Sequence, residues 1–550
     1  MKRDSAINTM SHDTKDMSPE VEQMEQASSY IEGTSRFDDH ALAHRGTILM
    51  EEERSLGVWA TAKLHWRALL ICAVSFTAGM LFGYDTVVNG ASISMPAFFI
   101  YFGDIGPTGP YLPSKWTSLW TAMSALAQAF GAFFVGFILD RFGRKWPAVG
   151  AGALTMVGTA VQYTSVSRGS LLAGKMVVGF GIGAAMATAT SYASEVAPIK
   201  LRAPIQSGLV LFTVFMQGVA LGIIRIFVPN IHPVAFRHVF AIQWAFGGLM
   251  MIAFALTPES PIFLINNGRL DKAYSVMTRI YGKADDVDAR LAYLIKTIRE
   301  EKSNHSLESG TYFECFKSKD LKRTLTVIFL YTAANIGGAA FLAQSIYFLI
   351  IAGLPAIHAF DVSIGGFGLA CIIIVSSWCI MNKISRRTGF MAGCIINFVI
   401  MLIVGALYYS PGKGSLWAIA VLMNVLISLQ TSLLQGLGWP IAAELSSYRL
   451  RGKTMSIAII MQTFSTWLTT FIVPYIYNVD SGNLGARTGF VFAGTSLLLI
   501  VGAFFLVPET MSMTIEEIDI AYERRIPARR IKKGVVTVDG EGNLSGAGKV

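Results

Sequence analysis

The chain has 550 residues, of which 53% are apolar and only 15% are charged. An average soluble domain has roughly 25% charged residues, so this composition excludes an ordinary soluble protein and a chain that is disordered throughout. Five cysteines without CxxC spacing exclude a disulfide-rich scaffold, and we interpret them as apolar filler. The net charge of +9 would suit nucleic acid in a soluble protein, but in a membrane protein it more often marks the cytoplasmic face.

The apolar residues follow a polar N-terminal segment. Residues 1–67 lack periodicity, and we predict a disordered cytosolic tail there. Beyond it, apolar runs of about 20 residues recur, each long enough to cross a bilayer as a helix. The predicted spanning helices are 69–99, 116–139, 148–167, 171–194, 206–228, 239–257, 325–351, 362–381, 390–409, 416–443, 455–477 and 489–507.

The basic residues cluster in alternate connections between these helices. DRFGRK (140–145), the stretch 269–323 and the segment 449–453 carry clusters, whereas the intervening connections carry few basic residues. Because cytoplasmic loops are enriched in Lys and Arg, we predict that these connections and both termini are cytoplasmic. The positive charge therefore indicates membrane topology, with a lipid bilayer and no nucleic acid as partner.

The long connection between the sixth and seventh spans divides the chain. We predict an N-terminal six-helix half at 68–258, a cytosolic intracellular-helix loop at 259–323 and a C-terminal six-helix half at 324–508. A cytosolic C-terminal tail follows at 509–550. The apolar residues of DARLAYLIKTIREEK in the loop recur at helical spacing, which favours amphipathic helices over a separate catalytic domain.

Three motifs of the first half recur about 240 to 250 residues later. The corresponding pairs are 140–145 with 382–387, Glu195 with Glu444, and Pro258-Glu259 with Pro508-Glu509. Two pseudo-symmetric halves around a midplane site are the architecture of secondary transporters. We therefore predict an all-α membrane protein with twelve transmembrane helices in two six-helix halves.

The same motifs resemble the sugar porter family of the major facilitator superfamily (MFS). The matching pieces are DRFGRK (140–145), SEVAPIKLR (194–202), PESP (258–261), ELSSYRLRGK (444–453) and PET followed by IEE (508–517). GYDT (83–86), YASEVAP (192–198) and NIGGAAFLAQSIYFLIIAGLPAIHAFD (335–361) are most similar to the fungal α-glucoside, maltose-type permeases. The resemblance implies a transporter that works by alternating access.

Several positions depart from the family pattern. Asn382 and Ser385 stand where the family has Asp and Gly, and Lys175 stands where span four usually has Arg. The sugar-contacting polar residue of span five aligns with Val210, and the Gln-Gln pair of span seven with Ala334-Asn335. These departures leave the substrate open.

Asp85 is a carboxylate deep inside the first span, and Lys175 lies in the fourth. A charge in the membrane is costly and therefore a functional candidate. In related proton-coupled porters an Asp–Arg pair at these places couples proton and sugar, so we predict proton coupling by Asp85 and Lys175. The alternative is a static ion pair that holds the two helices together.

A second set of charges lies at the cytoplasmic helix ends. The enrichment of cytoplasmic loops in Lys and Arg is enough to explain the basic members of this set. It does not explain the recurring Glu positions, which favour a gate in which opposite charges pair across the two halves. The predicted gate residues are Asp140, Arg144, Glu195, Arg202, Glu259, Arg386, Glu444, Arg451 and Glu509.

Polar and aromatic side chains within the spans are candidates for binding substrate, because sugars offer hydroxyls to amides and apolar ring faces to aromatics. Trp439 lies five residues before Glu444, as the family's substrate-facing Trp does, and Gln217 matches a Gln of the α-glucoside branch. The predicted substrate residues are Gln217, Asn335, Gln344, Trp439 and Trp467. For most of them, hydrogen bonding between helices is the alternative.

Together these features predict a monomeric permease, in the plasma membrane, for proton-coupled uptake of an α-glucoside or related sugar. A transporter or exporter of a fungal specialised metabolite and a non-transporting sugar receptor are the alternatives. We find no nucleophile and base pair and no metal-ligand set, so we predict no enzyme activity and no cofactor. Gly179, Gly181 and Gly183 imitate a dinucleotide fingerprint, but we interpret them as close helix packing.

Overall fold

The structure is a computed structural model of the chain. It describes residues 40–106, 109–198, 201–282, 286–307, 312–317, 320–380, 385–410, 412–446, 450–478, 480–511, 513, 515–524, 526–531, 537–538 and 544–545. The predicted disorder of 1–39 lies outside the described residues.

The described residues are overwhelmingly helical. Up to residue 256 the helices are α1 (His40–Ser55), α2 (Val58–Leu64), α3 (Trp66–Ala73), α4 (Phe76–Ala91), α5 (Pro96–Phe102), α6 (Ser114–Phe142), α7 (Lys145–Thr164), α8 (Arg168–Val196), α9 (Arg202–Phe227), α10 (Val234–Ala241) and α11 (Gln243–Leu256). After it they are α12 (Pro261–Asn266), α13 (Leu270–Tyr281), α14 (Val287–Leu307), α15 (Leu321–Ile336), α16 (Ala339–Ala343), α17 (Ser345–Ile351), α18 (Ala356–Ile380), α19 (Arg386–Leu407), α20 (Lys413–Leu429), α21 (Gly436–Leu445), α22 (Arg451–Tyr477), α23 (Thr488–Leu506) and α24 (Ile515–Glu523).

Short elements connect these helices. There are 3₁₀ turns at Ser92–Ser94, Tyr312–Phe316, Gly485–Arg487 and Ala528–Arg530, and a π-helix at Gln430–Gln435. Strand β1 (Asp104–Gly106) pairs antiparallel with β2 (Gly109–Tyr111), and β3 (Thr537–Val538) pairs with β4 (Leu544–Ser545).

Eleven stretches among the described residues are helical, long and apolar enough to cross a membrane. The third predicted span, 148–167, is not one of them, although it forms the helix α7. Its sequence, KWPAVGAGALTMVGTAVQYT, is rich in Gly, Ala and Thr, which makes it less apolar than its neighbours. Each of the twelve predicted segments is helical over most of its described residues, and the predicted all-α membrane fold is confirmed.

The chain forms two compact units. The first combines Met1–Cys72, Ser194–Ala203 and Pro258–Leu307, and the second combines Ala73–Ala193, Pro204–Thr257 and Glu308–Val550. The predicted boundaries between the two six-helix halves stay a prediction.

In the first unit, α1 packs on α14 and the helices α2 and α3 follow, so the prediction of disorder for 1–67 is wrong over 40–67. Glu53 of α1 is 8% exposed and forms an ion pair with Arg290 of α14. It also binds His65 Nε2 at 2.5 Å. The segment lacks an apolar face of its own, so its order depends on these contacts with α14, which local sequence does not reveal.

The predicted amphipathic helices of the loop are confirmed. Leu291 and Ile295 of α14 are buried, and Leu294 and Ile298 pack against the same apolar cluster. In this cluster α14 meets Met277 and other apolar residues of α13.

In the second unit, glycines bring α6 and α8 into backbone contact. A Cβ atom added at Gly131 would lie 2.0 Å from the Phe180 carbonyl oxygen, and one at Gly183 would lie 1.9 Å from that of Gln128. At Gly179 it would lie 2.5 Å from the Ser124 oxygen. The predicted close packing of this glycine run is therefore confirmed, and it positions Lys175 of α8 against α6.

Helix α15 ends where the seventh span breaks. Gly338 has φ +98, in the left-handed region that favours glycine, and it separates α15 from α16. The π-helix interrupts the tenth span between α20 and α21. π-helical turns often mark functional sites.

Candidate functional site

A buried polar network joins the predicted coupling residues Asp85 and Lys175. Asp85 of α4 is 1% exposed and Lys175 of α8 is fully buried. Asn89, one turn after Asp85, connects them: its Nδ2 donates to Asp85 Oδ2 at 3.1 Å. Lys175 Nζ donates to Asn89 Oδ1 at 2.7 Å and to its backbone oxygen at 3.3 Å. The two charges are therefore linked through a neutral amide.

Further neutral groups complete this network, which we call the charged network. Gln243 of α11 donates from Nε2 to Asp85 Oδ1 at 3.0 Å, and Asn89 Nδ2 also donates to Ser124 Oγ at 2.8 Å. Lys175 Nζ lies 5.8 Å from the centre of the Phe240 ring, which adds a cation–π contact. Buried charges persist only when their hydrogen-bonding needs are met, and these contacts meet them.

Sequence reasoning found the two charged members and missed Asn89 and Gln243. Charges stand out in an apolar run, whereas single amides within spans do not. The available signal was the spacing of Asp85 and Asn89, because residues four apart lie on one face of a helix. No comparable spacing in the sequence pointed to Gln243 on α11.

A cavity of about 190 Å³ lies beside this network. Thr86, Gly90 and Gln217 of the first predicted half line it, together with Ser345 and Asn424 of the second. We call it the central cavity. The described part of its wall contains no charged side chain, and its other members are Val87, Ala91, Val214, Leu221, Leu342, Ala343, Ile346, Ser363, Phe367, Ala370, Ile427 and Thr431.

Helix α4 connects the charged network to the central cavity. Asp85 and Asn89 lie in the network, while Thr86 and Gly90, each the next residue, line the cavity. Residues four apart share a face, so two neighbouring faces of one helix serve the two sites. A shift of α4 would therefore displace residues of both sites.

The predicted substrate residues lie in different surroundings. Gln217 lines the central cavity. Asn335 of α15 donates from Nδ2 to Thr466 Oγ1 of α22 at 2.8 Å, which is a bond between helices. Gln344 is 3% exposed and accepts a hydrogen bond at 2.7 Å from the hydroxyl of Tyr477.

The two tryptophans lie outside the described cavity wall. Trp439 of α21 is 39% exposed and stacks on Tyr331, with 5.9 Å between ring centres. Trp467 of α22 packs against Phe464 and Phe471. Substrate contact by these two and by Asn335 and Gln344 stays a prediction.

The first-half gate residues make local contacts. Glu195 accepts a hydrogen bond from the Ser260 hydroxyl, and Glu259 Oε1 accepts one from the Ser260 backbone N–H at 2.9 Å. Arg202 Nε donates to the Ala197 oxygen at 3.3 Å. Arg144 donates to the Leu139 oxygen at 3.1 Å, and Asp140, at the end of α6, is exposed.

The second-half gate residues include an ion pair. Arg386 of α19 pairs with Glu444 of α21, so this pair lies within one half and does not cross between halves as predicted. Glu509 accepts the backbone N–H groups of Arg386 and Arg387 at 3.3 Å each. It therefore caps the N-terminus of α19. The side chain of Arg451 lies outside the described residues.

The second half also contains a buried network, formed by neutral groups, which we call the amide network. Gln430 Nε2 donates to Asn397 Oδ1 at 2.6 Å and to the Gly337 oxygen at 3.1 Å. Asn397 Nδ2 donates to the Gly337 oxygen at 3.0 Å and to Ser496 Oγ at 2.7 Å. These bonds satisfy a carbonyl at the break after α15 and connect it to the start of the π-helix.

Known proteins are similar to this chain in sequence and in architecture. The sequence profile of the family described as "Sugar (and other) transporter" matches residues 71–522. The MFS transporter fmqE of Aspergillus fumigatus is 44% identical over 503 residues, which cover 90% of this chain and 94% of that protein. The general alpha-glucoside permease of Saccharomyces cerevisiae is 26% identical over 89% of this chain and 81% of its own.

Among solved structures, the inward open conformation of the xylose transporter XylE from E. coli is similar in fold. The TM-score is 0.65 at 19% sequence identity, and the match covers 82% of this chain and 99% of that chain.

Proposed function

The chain belongs to the sugar transporter family of the major facilitator superfamily, and from this membership we propose that it couples proton movement to the transport of a small uncharged solute. It is an integral multi-pass membrane protein of a family of transporters, not enzymes. An α-glucoside or related sugar is our first candidate for the solute.

Proton coupling is supported above all by the position of the charged network beside the central cavity. Asp85 is a buried carboxylate, and Lys175 is a buried cation reached through Asn89. Intramembrane carboxylates of this kind serve as proton carriers in transporters. When Asp85 takes up a proton, its interactions with Asn89 and Gln243 change, and α4 carries that change to the cavity wall.

The test is uptake into proteoliposomes with an imposed proton gradient. We expect wild-type protein to accumulate radiolabelled maltose or glucose, and Asp85→Asn to lose accumulation while still exchanging labelled for unlabelled sugar. Asp104→Asn is the matched control, because Asp104 is exposed and pairs with Arg168 at 2.7 Å. Undiminished, gradient-dependent accumulation by Asp85→Asn would refute the proposal.

A sugar is supported by the polar groups of the cavity and by the relatives. Gln217 and Asn424 offer amides from opposite halves, and Thr86 and Ser345 offer hydroxyls. Amides and hydroxyls both donate and accept hydrogen bonds, as sugar hydroxyls require. The yeast relatives are named as alpha-glucoside and maltose permeases.

A less polar specialised metabolite is the second candidate. Most of the cavity wall is apolar, with Phe367, Leu342 and Ile346 among its members, and Trp439 lies outside the described wall. The relative with 44% identity is named only as an MFS transporter. If the vesicles transport neither sugar, counterflow with uncharged metabolites of lower polarity distinguishes this candidate from a non-transporting receptor.

We also propose cytoplasmic termini, a location in the plasma membrane and a monomeric state. The first rests on the basic clusters at 140–145 and 449–453. Epitope tags at both termini that react only after permeabilisation of the cells would support this orientation. Tags that react on intact cells would overturn it.

A further inference from the structure

The two predicted halves are joined by hydrogen bonds at the end of the bundle where α6 begins, which we call the Ser114 end. Asn478, just after α22, donates from Nδ2 to the Leu112 oxygen at 2.8 Å and to Ser114 Oγ at 3.0 Å. The hydroxyl of Tyr347 donates to the same Leu112 oxygen at 3.4 Å. Asn478 is fully buried and Ser114 is 1% exposed, so these bonds are shielded from water.

Asp480 adds a charge to this junction. Its Oδ2 accepts the backbone N–H of Ser114 at 2.8 Å, and its Oδ1 accepts the Ser114 hydroxyl. Ser114 is the first residue of α6, a helix of 29 residues. The first N–H groups of a helix have no partner within it, and the helix dipole attracts negative charge there. Asp480 of the second half therefore caps a helix of the first.

The cap differs from the one that Glu509 provides. Glu509 and the N-terminus of α19 belong to the same predicted half, so the halves can separate without disturbing that cap. The contact between Asp480 and Ser114 joins residues 366 apart and must break whenever the halves separate at this end.

The junction lies beside a pocket that is larger than the central cavity. A second pocket, of about 840 Å³, opens at the Ser114 end and is lined by Phe99, Phe348 and Tyr477. Tyr347 stacks on Phe99, with 5.5 Å between ring centres, and is fully buried. Ser345 and Ile346, directly before it, line the central cavity. The segment 345–348 thus separates the two spaces.

We propose that the Asp480 carboxylate is a latch that holds the Ser114 end closed during alternating access. It acts as a positioning residue: it touches no part of the central cavity and stabilises the state in which the cavity is shut off from this end. The latch requires only that the halves separate, so it is independent of the proposed proton coupling and substrate.

The test measures access to the cavity without transport. Ala343 lines the central cavity, and Ala343→Cys places a thiol there. A membrane-impermeant methanethiosulfonate reagent is added to each face of oriented proteoliposomes, and protein without the new cysteine gives the background. Ile105→Cys, at a position 93% exposed in β1, identifies the face of the Ser114 end.

We expect Asp480→Ala to raise the labelling rate of Ala343→Cys from the Ser114 end by about twofold to fivefold, the range of a helix-terminal charge interaction. Labelling from the opposite face should fall. Asp480→Asn should lie between wild type and Asp480→Ala, because it retains an acceptor for the Ser114 N–H.

Asp361→Ala is the matched control. Asp361 of the second half pairs with Arg225 of the first at 2.8 Å, and both side chains are substantially exposed, whereas Ser114, the partner of Asp480, is buried. An ion pair with both partners exposed contributes little. We expect a change below about twofold. An unchanged rate in Asp480→Ala, or an equal rise in Asp361→Ala, would overturn the latch.

Discussion

The charged network and the amide network lie partly on corresponding helices of the two predicted halves but differ in charge. Asn397 of the ninth span and Ser124 of the second have no counterpart among the members of the other network. Asp85 and Asn89, Lys175 and Gln243 come from spans one, four and six, whereas Gly337, Gln430 and Ser496 come from spans seven, ten and twelve. The first contains a carboxylate and an ammonium group, and the members of the second are neutral. Only the first can change its charge by taking up a proton.

The difference separates two tasks that a transporter must combine. The amide network satisfies the Gly337 carbonyl at a helix break and so fixes the backbone of the seventh span. The charged network has two energetically distinct states, because removing one charge leaves the other without its buried partner. The two halves thus contain similar frameworks whose side chains differ in chemistry.

The largest effect should come from breaking the charged network at Lys175. We expect Lys175→Met to lower the free energy of unfolding by about 3 to 5 kcal/mol, because Asp85 is left as an unpaired buried charge. Thermal unfolding in detergent measures this loss. The double variant Asp85→Asn with Lys175→Met should recover most of the stability but not proton-driven uptake. A double variant as unstable as Lys175→Met would argue against pairing.

A second buried cluster with charged members, formed by Glu53, His65 and Arg290, tests whether burial alone makes a proton site. Glu53 lies outside the spanning helices. Burial acts to raise the pKa of this carboxyl, but hydrogen bonds and charge interactions with His65 and Arg290 outweigh it and lower the pKa to about 2. Its stabilising contribution is therefore present above the unfolded pKa of about 4.3 and is lost as pH falls toward 2.

We expect Glu53→Gln to remove about 2 to 3 kcal/mol of stability at pH 7, and less near pH 3. Proton-driven uptake between pH 5 and 8 should keep its pH profile, since Glu53 remains ionised in that range. Unfolding curves and uptake at several pH values check this. A shifted pH profile of uptake would contradict the distinction between a structural charge at Glu53 and a coupling charge at Asp85.

The helix break in the second half can be tested at Gly338. Gly338→Ala forces a Cβ atom into φ +98, where it would lie 2.8 Å from Met401 Cε and 2.9 Å from Phe492 Cγ. We expect the free energy of unfolding, measured by thermal unfolding, to fall by about 1 to 3 kcal/mol. Gly365→Ala in α18 is the control, since a Cβ there meets nothing within 4 Å. Equal stability of the two variants would contradict a strained break.

The smallest effect should come from Asn397 of the amide network. Asn397→Leu removes the bonds that Asn397 donates to Ser496 and Gly337 and the one that it accepts from Gln430, but Gln430 still donates to the Gly337 oxygen at 3.1 Å. We therefore expect a cost of about 1 to 2 kcal/mol in unfolding free energy. The pH dependence of uptake should be unchanged, because no charge is altered. A changed pH profile would show that the two networks are not separate in function.

The sequence predicted the helices and the buried charges because both leave strong signals. Apolar runs mark the spans, and Asp85 and Lys175 interrupt such runs. It could not predict which neutral groups complete the site: Asn89 and Gln243 resemble any other polar residue in a span. The order of α1 was also hidden, because Glu53 is stabilised by a residue on α14, more than 200 positions away.

The sequence also did not reveal which charged side chains pair with each other. Arg386 and Glu444 were both identified, but the charge pattern does not tell whether they pair within a half or across halves. Similarly, Asp480 falls between the predicted spans 455–477 and 489–507, and only the fold brings it to the first turn of α6.

The charged network also has an electrical consequence. With Asp85 ionised and Lys175 protonated, the pair carries no net charge, and proton uptake by Asp85 leaves it with one positive charge. A charge that crosses a full membrane potential of 100 mV gains about 2.3 kcal/mol. A membrane potential that is negative on the side to which the proton moves would then favour the conformational change of the protonated protein and leave that of the unprotonated protein unaffected. The current measured during a single half-cycle would therefore report whether the proton is bound in that step.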